Sequence, residues 1–578
     1  MTNTKNLNNK KFINNQDSTV TKKHKKISFF SAILLVIGSS IGAGIFLKNA
    51  EILRNVQGSI YLSIFSWIIS IIGVVAMGLT LSEVSSCNTK NNQGIIGWVK
   101  WFNSTFMYKT CKNFMAYVHL PTMFFFMPYY AMMTLQEAFG WQTEWWVSAL
   151  ISLFIMMWFI VVSGLSSKWG NIQNWVITSV KFFPLVFAVL AGIILYSMGH
   201  KPIDGPVPWP SEEPDHWQLD HRLFSQLYPA LGLVGSIPAI VFSFDGFYAS
   251  AGIQSEMEKP EKTSSAMTIG LLVVSTLDIL ISISLLLAST NGKINGIKWF
   301  DDHAHWVIML MEIMISFGIF GIINGVGLYA PRFYEDLIKN DDLPFAATLK
   351  NKMVPNYPVI GVSYCAILSL CVFVILTLIG SFAYIDVSRY GDTILTTFDG
   401  SVWKGYDKNA TTSNPNTLGN LNNLYSFCDL IGNWSSILTF ACILIAIIGC
   451  LINRKTNKVQ VKKSKTFVPA AWVCLTIVGI GLLFVFVSVI ANIIIVSGWH
   501  NDIGKVLDQH TEDMYWGQDP ASEVCMRNPV PSRHTFEWTY IQEFQLPYFR
   551  KPAQEFDFQN QSLHSLLFCQ RFASSNLP

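Results

Sequence analysis

Long apolar runs separated by short polar stretches dominate the chain. A run of about 20 apolar residues is long enough to cross a bilayer as a helix. Eleven such runs are present, at 28–47, 58–80, 113–136, 145–163, 171–198, 229–254, 265–289, 306–330, 357–380, 428–452 and 467–496. Run 467–496 is too short for two crossings, so a twelfth span has no support in the pattern. The first run has no small-residue cleavage site and further apolar segments follow at once, so it is not a cleavable signal peptide. So many long spans predict an all-α helical bundle rather than a barrel.

Composition agrees. Of 578 residues, 51% are hydrophobic, 14% aromatic and 13% charged, against about 25% charged in soluble domains. The mean hydropathy is +0.37. These values exclude an ordinary soluble enzyme and describe an integral membrane protein. A net charge of +3 is too balanced for nucleic-acid binding. Ten cysteines without a CxxC pair point to neither a disulfide framework nor a zinc site. No HExxH, paired-aspartate metal or phosphate-loop motif is present, so neither enzymatic activity nor a cofactor is expected.

Lys and Arg set the expected orientation. With the N-terminus and its Lys22–Lys26 run in the cytoplasm, the cytoplasmic segments hold 24 basic residues and the outer loops 9. The chain then divides into a cytoplasmic basic tail (1–27), a membrane domain (28–497) and a polar tail (498–578) outside the cell, with the plasma membrane as the expected location. The Pro-rich acidic stretch 201–220 and the Asn/Thr/Gly-rich stretch 400–423 read as surface loops.

Two spans carry helix-weakening clusters. Span 1 contains Gly38, Ser39, Ser40, Ile41, Gly42, Ala43 and Gly44, and each glycine costs about 1 kcal/mol of helix stability relative to alanine. Span 6 contains Phe242, Ser243, Phe244, Asp245 and Gly246, with Pro238 one turn earlier. Interrupted helices in corresponding positions of two halves mark the binding site of many transporters. Freed N–H groups attract a carboxylate and freed carbonyls accept from an ammonium, so together they suit a zwitterionic amino acid. Span 1 also reads as a small-xxx-small packing face.

These motifs resemble a known family. GSSIGAGIF looks like the first-helix signature of the amino acid–polyamine–organocation (APC) superfamily of permeases. FSFDGFYASAGIQSEMEKPEKTSSAMTIG resembles the sixth helix and following loop of that family. The stretch Gly321–Pro358, with Arg332, Asp341-Asp342-Leu343-Pro344 and Pro358, is similar to its eighth helix and cytoplasmic loop. The resemblance covers about residues 28–497. It implies a LeuT-like bundle of 11–12 helices with a five-plus-five inverted repeat and broken helices 1 and 6. The departures are an odd helix count with an added tail, a long loop at 381–427, and Glu256 and Glu258 split by Met257.

The resemblance also gives the intramembrane residues roles. Residues 39–44 would bind the carboxylate and ammonium of the substrate, Phe242 would be an aromatic lid, and 243–246 would line the side-chain pocket. Asp245 would pair with a cationic substrate or, read simply, cap the second half of span 6. Lys181 in span 5 resembles the lysine that stands in for a sodium ion in proton-coupled members, against the simpler reading of snorkelling. Asp278, Glu312 and His119 either line a water path or make interhelical hydrogen bonds. Tyr117, Tyr129 and Tyr130 are candidate pocket walls, and Glu83 reads as a surface residue. The expected partners are a small amino acid or polyamine, the lipid bilayer and protons. The function is then secondary active transport, with a non-transporting amino-acid receptor on the same scaffold as the alternative.

Overall fold

The computed structural model describes residues 28–40, 44–56, 58–87, 94–141, 143–200, 224–248, 262–289, 292–354, 357–384 and 415–516. Among them the regular structure is helical and no strand occurs. The reason is the solvent: in hydrocarbon every backbone group must find its partner within its own segment.

Eight helical stretches among the described residues are long and apolar enough to cross a membrane. They lie in α3 (Ile60–Val84), α7 (Trp145–Leu165), α8 (Ser167–Ser197), α11 (Thr263–Ala288), α13 (His305–Lys339), α15 (Val359–Leu378), α16 (Pro415–Thr456) and α17 (Phe467–Trp516). Of the three remaining apolar runs, spans 3 and 6 are interrupted. Span 1 is described as α1 (Phe29–Ser40) and α2 (Gly44–Asn55), and Ile41, Gly42 and Ala43 lie outside the described residues. Span 6 is divided into α9 (Pro229–Gly235) and α10 (Ile237–Ser243), with Pro238 inside the first turn of the second piece. Span 3 follows short α4 (Ile95–Phe102) and runs as α5 (Thr105–Phe114), a π-helical turn Met115–His119, and α6 (Leu120–Phe139). Short α12 (Lys298–His303) and α14 (Ala346–Lys350) flank α13.

Helix ends depart from the expected span ends. The α2 helix carries span 1 on to Asn55, α13 continues through Pro331 to Lys339, and α16 starts inside the stretch expected to be a loop. The α17 helix runs past residue 496 to Trp516, so the first part of the expected polar tail is helical. The stretch 201–220, Glu256, Glu258 and residues 517–578 lie outside the described residues.

Packing is centred on α13, which lies against α6, α8, α7 and α15, and on α11, which lies against α8, α1 and α3. Small residues permit the closest approaches, as expected where lipid offers no hydrophobic drive between helices. A Cβ on Gly192 of α8 would stand 2.0 Å from the Ser284 carbonyl oxygen of α11.

Two polar knots tie the ends of helices on the side expected to be cytoplasmic. Glu83, at the end of α3, is 0% exposed. Arg454 of α16 donates Nε to Glu83 Oε1 at 2.8 Å and a second bond to Oε2. The Ser464 backbone N–H donates to Glu83 Oε2 at 2.7 Å. The expectation of a surface glutamate is thereby corrected: a bidentate arginine and a backbone amide let the carboxylate be buried. In the second knot Lys112 Nζ donates to the Asp342 backbone oxygen at 2.6 Å and Tyr108 donates to Asp342 Oδ2 at 2.8 Å. Burial, with the Asp342 carboxylate beside it, pushes the Tyr108 phenol above its ordinary value, so it stays a donor.

Removing one partner of a buried ion pair costs about 3–5 kcal/mol, and less where one side chain touches water. Arg454→Leu is expected to lower the melting temperature of the purified protein clearly. Glu83→Gln in the same background should recover part of the loss, because no uncompensated charge is then buried. A double variant as unstable as the single one would show that the two residues are not coupled.

Candidate functional site

Spans 1 and 6 meet where their backbones come closest. A Cβ on Gly44, the first residue of α2, would lie 2.8 Å from Ser243 Cα at the end of α10. Only glycine permits that approach without displacement. After Ser243 the chain turns through Phe244 and Asp245 to Gly246, whose φ of +102° is a backbone state that favours glycine. Phe247 then packs on Phe440 of α16 at 5.8 Å.

Above Gly44 on α2 stands Lys48, with 0% exposure. Its Nζ lies 2.6 Å from Asp429 Oδ1 of α16 and 3.1 Å from Glu51 Oε2. It also lies 4.9 Å from the Phe242 ring centre and 5.6 Å from that of Tyr130. Two carboxylates and two aromatic faces thus compensate an ammonium withdrawn from water. Tyr130 donates to Asp429 Oδ1 at 2.8 Å, and Asn433 Nδ2 donates to Glu51 Oε1 at 2.7 Å. Phe242 packs on Tyr130 and Phe126, each at 5.9 Å between ring centres.

Farther along α16 lies a second polar cluster. Asp245 accepts from Tyr248 Oη and from Ser436 Oγ, each at 2.7 Å. His119 Nδ1 lies 2.9 Å from both Ser435 Oγ and Thr439 Oγ1, and its Nε2 lies 3.4 Å from the Tyr248 hydroxyl. His119 is therefore an interhelical hydrogen-bonding residue, and the π-helical turn that holds it is the local device that aims it at α16. On α16, Asp429 and Ser436 are two turns apart, about 10 Å at 1.5 Å per residue. Phe242 lies between the two clusters, against Gly432.

Of the residues expected to bind substrate, Gly44, Phe242, Ser243, Phe244, Asp245 and Gly246 lie where spans 1 and 6 meet. Ser39 lies in α1, and Ser40, its last described residue, has a buried Oγ with no partner among the described residues. Asp245 makes its hydrogen bonds to two hydroxyls, and no capping bond from it to a backbone amide occurs among the described residues. Lys181 is buried in α8, with its Cβ 3.8 Å from a Cβ built on Gly318 of α13. Snorkelling to the surface does not describe it. Tyr130 faces the site. Tyr129 turns instead to α15, bonding Thr377 at 2.8 Å and stacking on Phe373.

Sequence reasoning missed Lys48, Glu51 and Asp429. The polarity of Lys48 placed it in an outer loop, although its spacing of three from Glu51 is the helical pairing distance.

Comparison with known proteins supplies the context. Residues 27–501 match the model of the family described as amino acid permease. The chain belongs to this family. The permease is 37% identical over 514 residues to an uncharacterized protein of Mycoplasma pneumoniae, covering 83% of this chain and 87% of that one. It is 25% identical over 364 residues to the serine/threonine exchanger SteT of Bacillus subtilis, covering 61% of this chain and 77% of SteT. A second uncharacterized Mycoplasma pneumoniae protein is 25% identical over 226 residues, covering 38% of this chain and 75% of that one. The resemblance to the APC superfamily is thus borne out. The permease is a multi-pass membrane transporter of amino acids, with the bilayer as its solvent, and not an enzyme.

Gly44→Ala forces the backbones of α2 and α10 apart. We expect normal membrane insertion and at least a tenfold loss of amino-acid uptake, measured in liposomes. Uptake at the original rate would show that the close approach is not required.

Proposed function

We propose that the protein carries amino acids or related amines across the plasma membrane by alternating access, binding them where the two interrupted spans meet. The observation that carries this reading is the contact of Gly44 with Ser243. It brings the start of α2 and the end of α10 to one place, next to Asp245. Residues 39–44 contribute backbone groups to the substrate carboxylate and ammonium, Phe242 covers the substrate, and Ser243–Gly246 form the side-chain pocket. Ile41, Gly42 and Ala43 enter this reading from the sequence alone.

Orientation follows the basic-residue asymmetry, with the N-terminus cytoplasmic and residues 498–578 outside. Lys48 and Asp429 then lie on the outer side of Phe242. Their ion pair joins α2 to α16 across the way in and must open for substrate to enter from outside. The Glu83–Arg454 knot lies at the opposite, cytoplasmic end. The span list and the five-plus-five repeat belong to the same proposal.

The side chain recognised depends on Asp245. Tyr248 and Ser436 hold its carboxylate in one orientation, which suits an amine carried by a cationic amino acid or a polyamine. Similarity to a serine/threonine exchanger supports exchange of one amino acid for another. Lys181, buried beside α13, is one residue by which transport responds to protons.

Uptake of a radiolabelled amino-acid panel by the purified protein in liposomes tests these assignments. It should include arginine, ornithine, putrescine, serine and threonine, with and without a pH gradient and internal amino acid. We expect a preference for cationic substrates that falls at least tenfold in Asp245→Asn, and a pH response lost in Lys181→Ala. Neutral substrates carried equally by both variants would remove both assignments. Binding without any flux would identify a receptor built on the permease scaffold.

A further inference from the structure

Asp278 is the one ionisable residue of α11. It is 2% exposed, and its Oδ2 has no hydrogen-bond partner among the described residues. A carboxylate in that setting is costly, so the group must hold a proton or a cation for part of its time. No interhelical hydrogen bond to Oδ2 occurs among the described residues.

Its height in the bundle follows from two contacts between α11 and the first span. A Cβ on Gly270 would lie 2.6 Å from Val36 Cγ1 of α1. Twelve residues on, Ser282 Oγ donates to Asn49 Oδ1 of α2 at 2.7 Å. The two helices therefore run parallel in a fixed register. Asp278 lies about 12 Å past Gly270 and about 6 Å before Ser282, which is the level of Gly44, where α2 begins. At 100° per residue it points about 80° from Gly270 and about 40° from Ser282, between the two anchor directions. Ser275, one turn earlier on α11, and Ser40, the last described residue of α1, are each 3% exposed, with no hydroxyl partner among the described residues. Three buried polar side chains whose oxygens lack a described partner thus collect near the start of α2.

The charged and titratable groups of the surrounding helices are engaged elsewhere or lie apart. The α11 helix packs on α1, α2, α3 and α8. None occurs on α1. On α2, Lys48 and Glu51 pair with each other, and Arg54 is exposed at the far end. On α3, Tyr61 is exposed and Glu83 is held by Arg454. On α8 are Lys168, Tyr196 and Lys181, the last facing Gly318 of α13. Ser284 Oγ of α11 donates to the Ala188 backbone oxygen. That contact lies seven residues, about 10 Å, along α8 from Lys181, and no ion pair between Lys181 and Asp278 occurs among the described residues.

We propose that Asp278 is a proton-carrying carboxyl of the transport cycle. It gains a proton on one side of the membrane as –COO⁻ becomes –COOH, and loses it to the other side when α1 and α2 rearrange. A transition-metal ion would need several His, Cys, Asp or Glu ligands converging on one point, and no group of three such side chains forms among the described residues. One proton needs one oxygen, which the bare Oδ2 supplies. The proposal rests on the transport reading above and adds a site to it.

Two experiments separate the failure of each. Dicyclohexylcarbodiimide reacts with protonated carboxyls in apolar surroundings. Applied to the purified wild-type protein, it should leave an adduct at Asp278, found by peptide mass spectrometry, that declines as pH is raised. No adduct at any pH, or adducts confined to Glu312, would overturn the proposal without any variant having to fold. In liposomes holding a pH-sensitive dye, amino-acid uptake should be accompanied by proton movement. The ratio of protons to amino acid should fall at least tenfold in Asp278→Asn. Wild-type uptake without proton movement, or an unchanged ratio in the variant, would likewise overturn it. Absence of wild-type uptake would instead refute the transport reading, and the labelling result would then decide Asp278 by itself.

Discussion

The arrangement of this bundle depends on the compensation of one buried ammonium. Lys48 has left water entirely, and the cost of doing so is several kcal/mol unless oppositely charged or electron-rich groups replace the lost solvent. The replacements come from four places: Glu51 on its own helix, Asp429 on α16, and the rings of Phe242 and Tyr130. Satisfying that charge draws α2, α6, α10 and α16 together at one height. The partners are then fixed by second bonds, with Tyr130 on Asp429 and Asn433 on Glu51. The polar face of α16 extends this framework down to Ser436 and Thr439, so one helix sets the positions of both polar clusters.

Much of the fold was legible because its signals are local. Runs of about 20 apolar residues mark helices whatever they pack against, and the Pro-Asp-Gly spacing of span 6 marks an interruption by its own chemistry. Glu83 and Lys48 were misread for a shared reason. Their burial is possible only because Arg454 and Asp429 arrive from 371 and 381 residues away, and nothing near either residue announces that partner. A charge at the end of an apolar run reads as the start of a loop until its counter-charge is known. The π-helical turn at Met115–His119 was hidden differently: it inserts into a continuous helix without changing the apolar pattern. Asp245 and Phe242 were recognisable as candidates, but the hydroxyls of Tyr248 and Ser436 that orient Asp245 are distributed over two segments.

Small residues and charged residues divide the work of this bundle. Glycines let backbones touch at Gly44 and Gly192, which brings helices closer than any side chain would allow. Ion pairs, in contrast, tie helix ends at Glu83–Arg454 and Lys112–Asp342 and join α2 to α16 at Lys48–Asp429. Contacts of the first kind depend on shape and are indifferent to pH and salt. Contacts of the second kind can be broken by supplying an alternative partner or a proton. A protein that must hold its helices together while changing which face is open has use for both.

The meeting of Gly44 with Ser243 has a mechanical meaning. Most helix contacts are cushioned by side chains, whose rotamers can absorb a displacement of an ångström or more without moving the neighbouring backbone. Here no side chain intervenes on the glycine side, so that slack is missing. A tilt of α2 is passed directly to α10, and the contact acts as a fulcrum rather than a spring. The two half-helices are thereby constrained to move as a single lever.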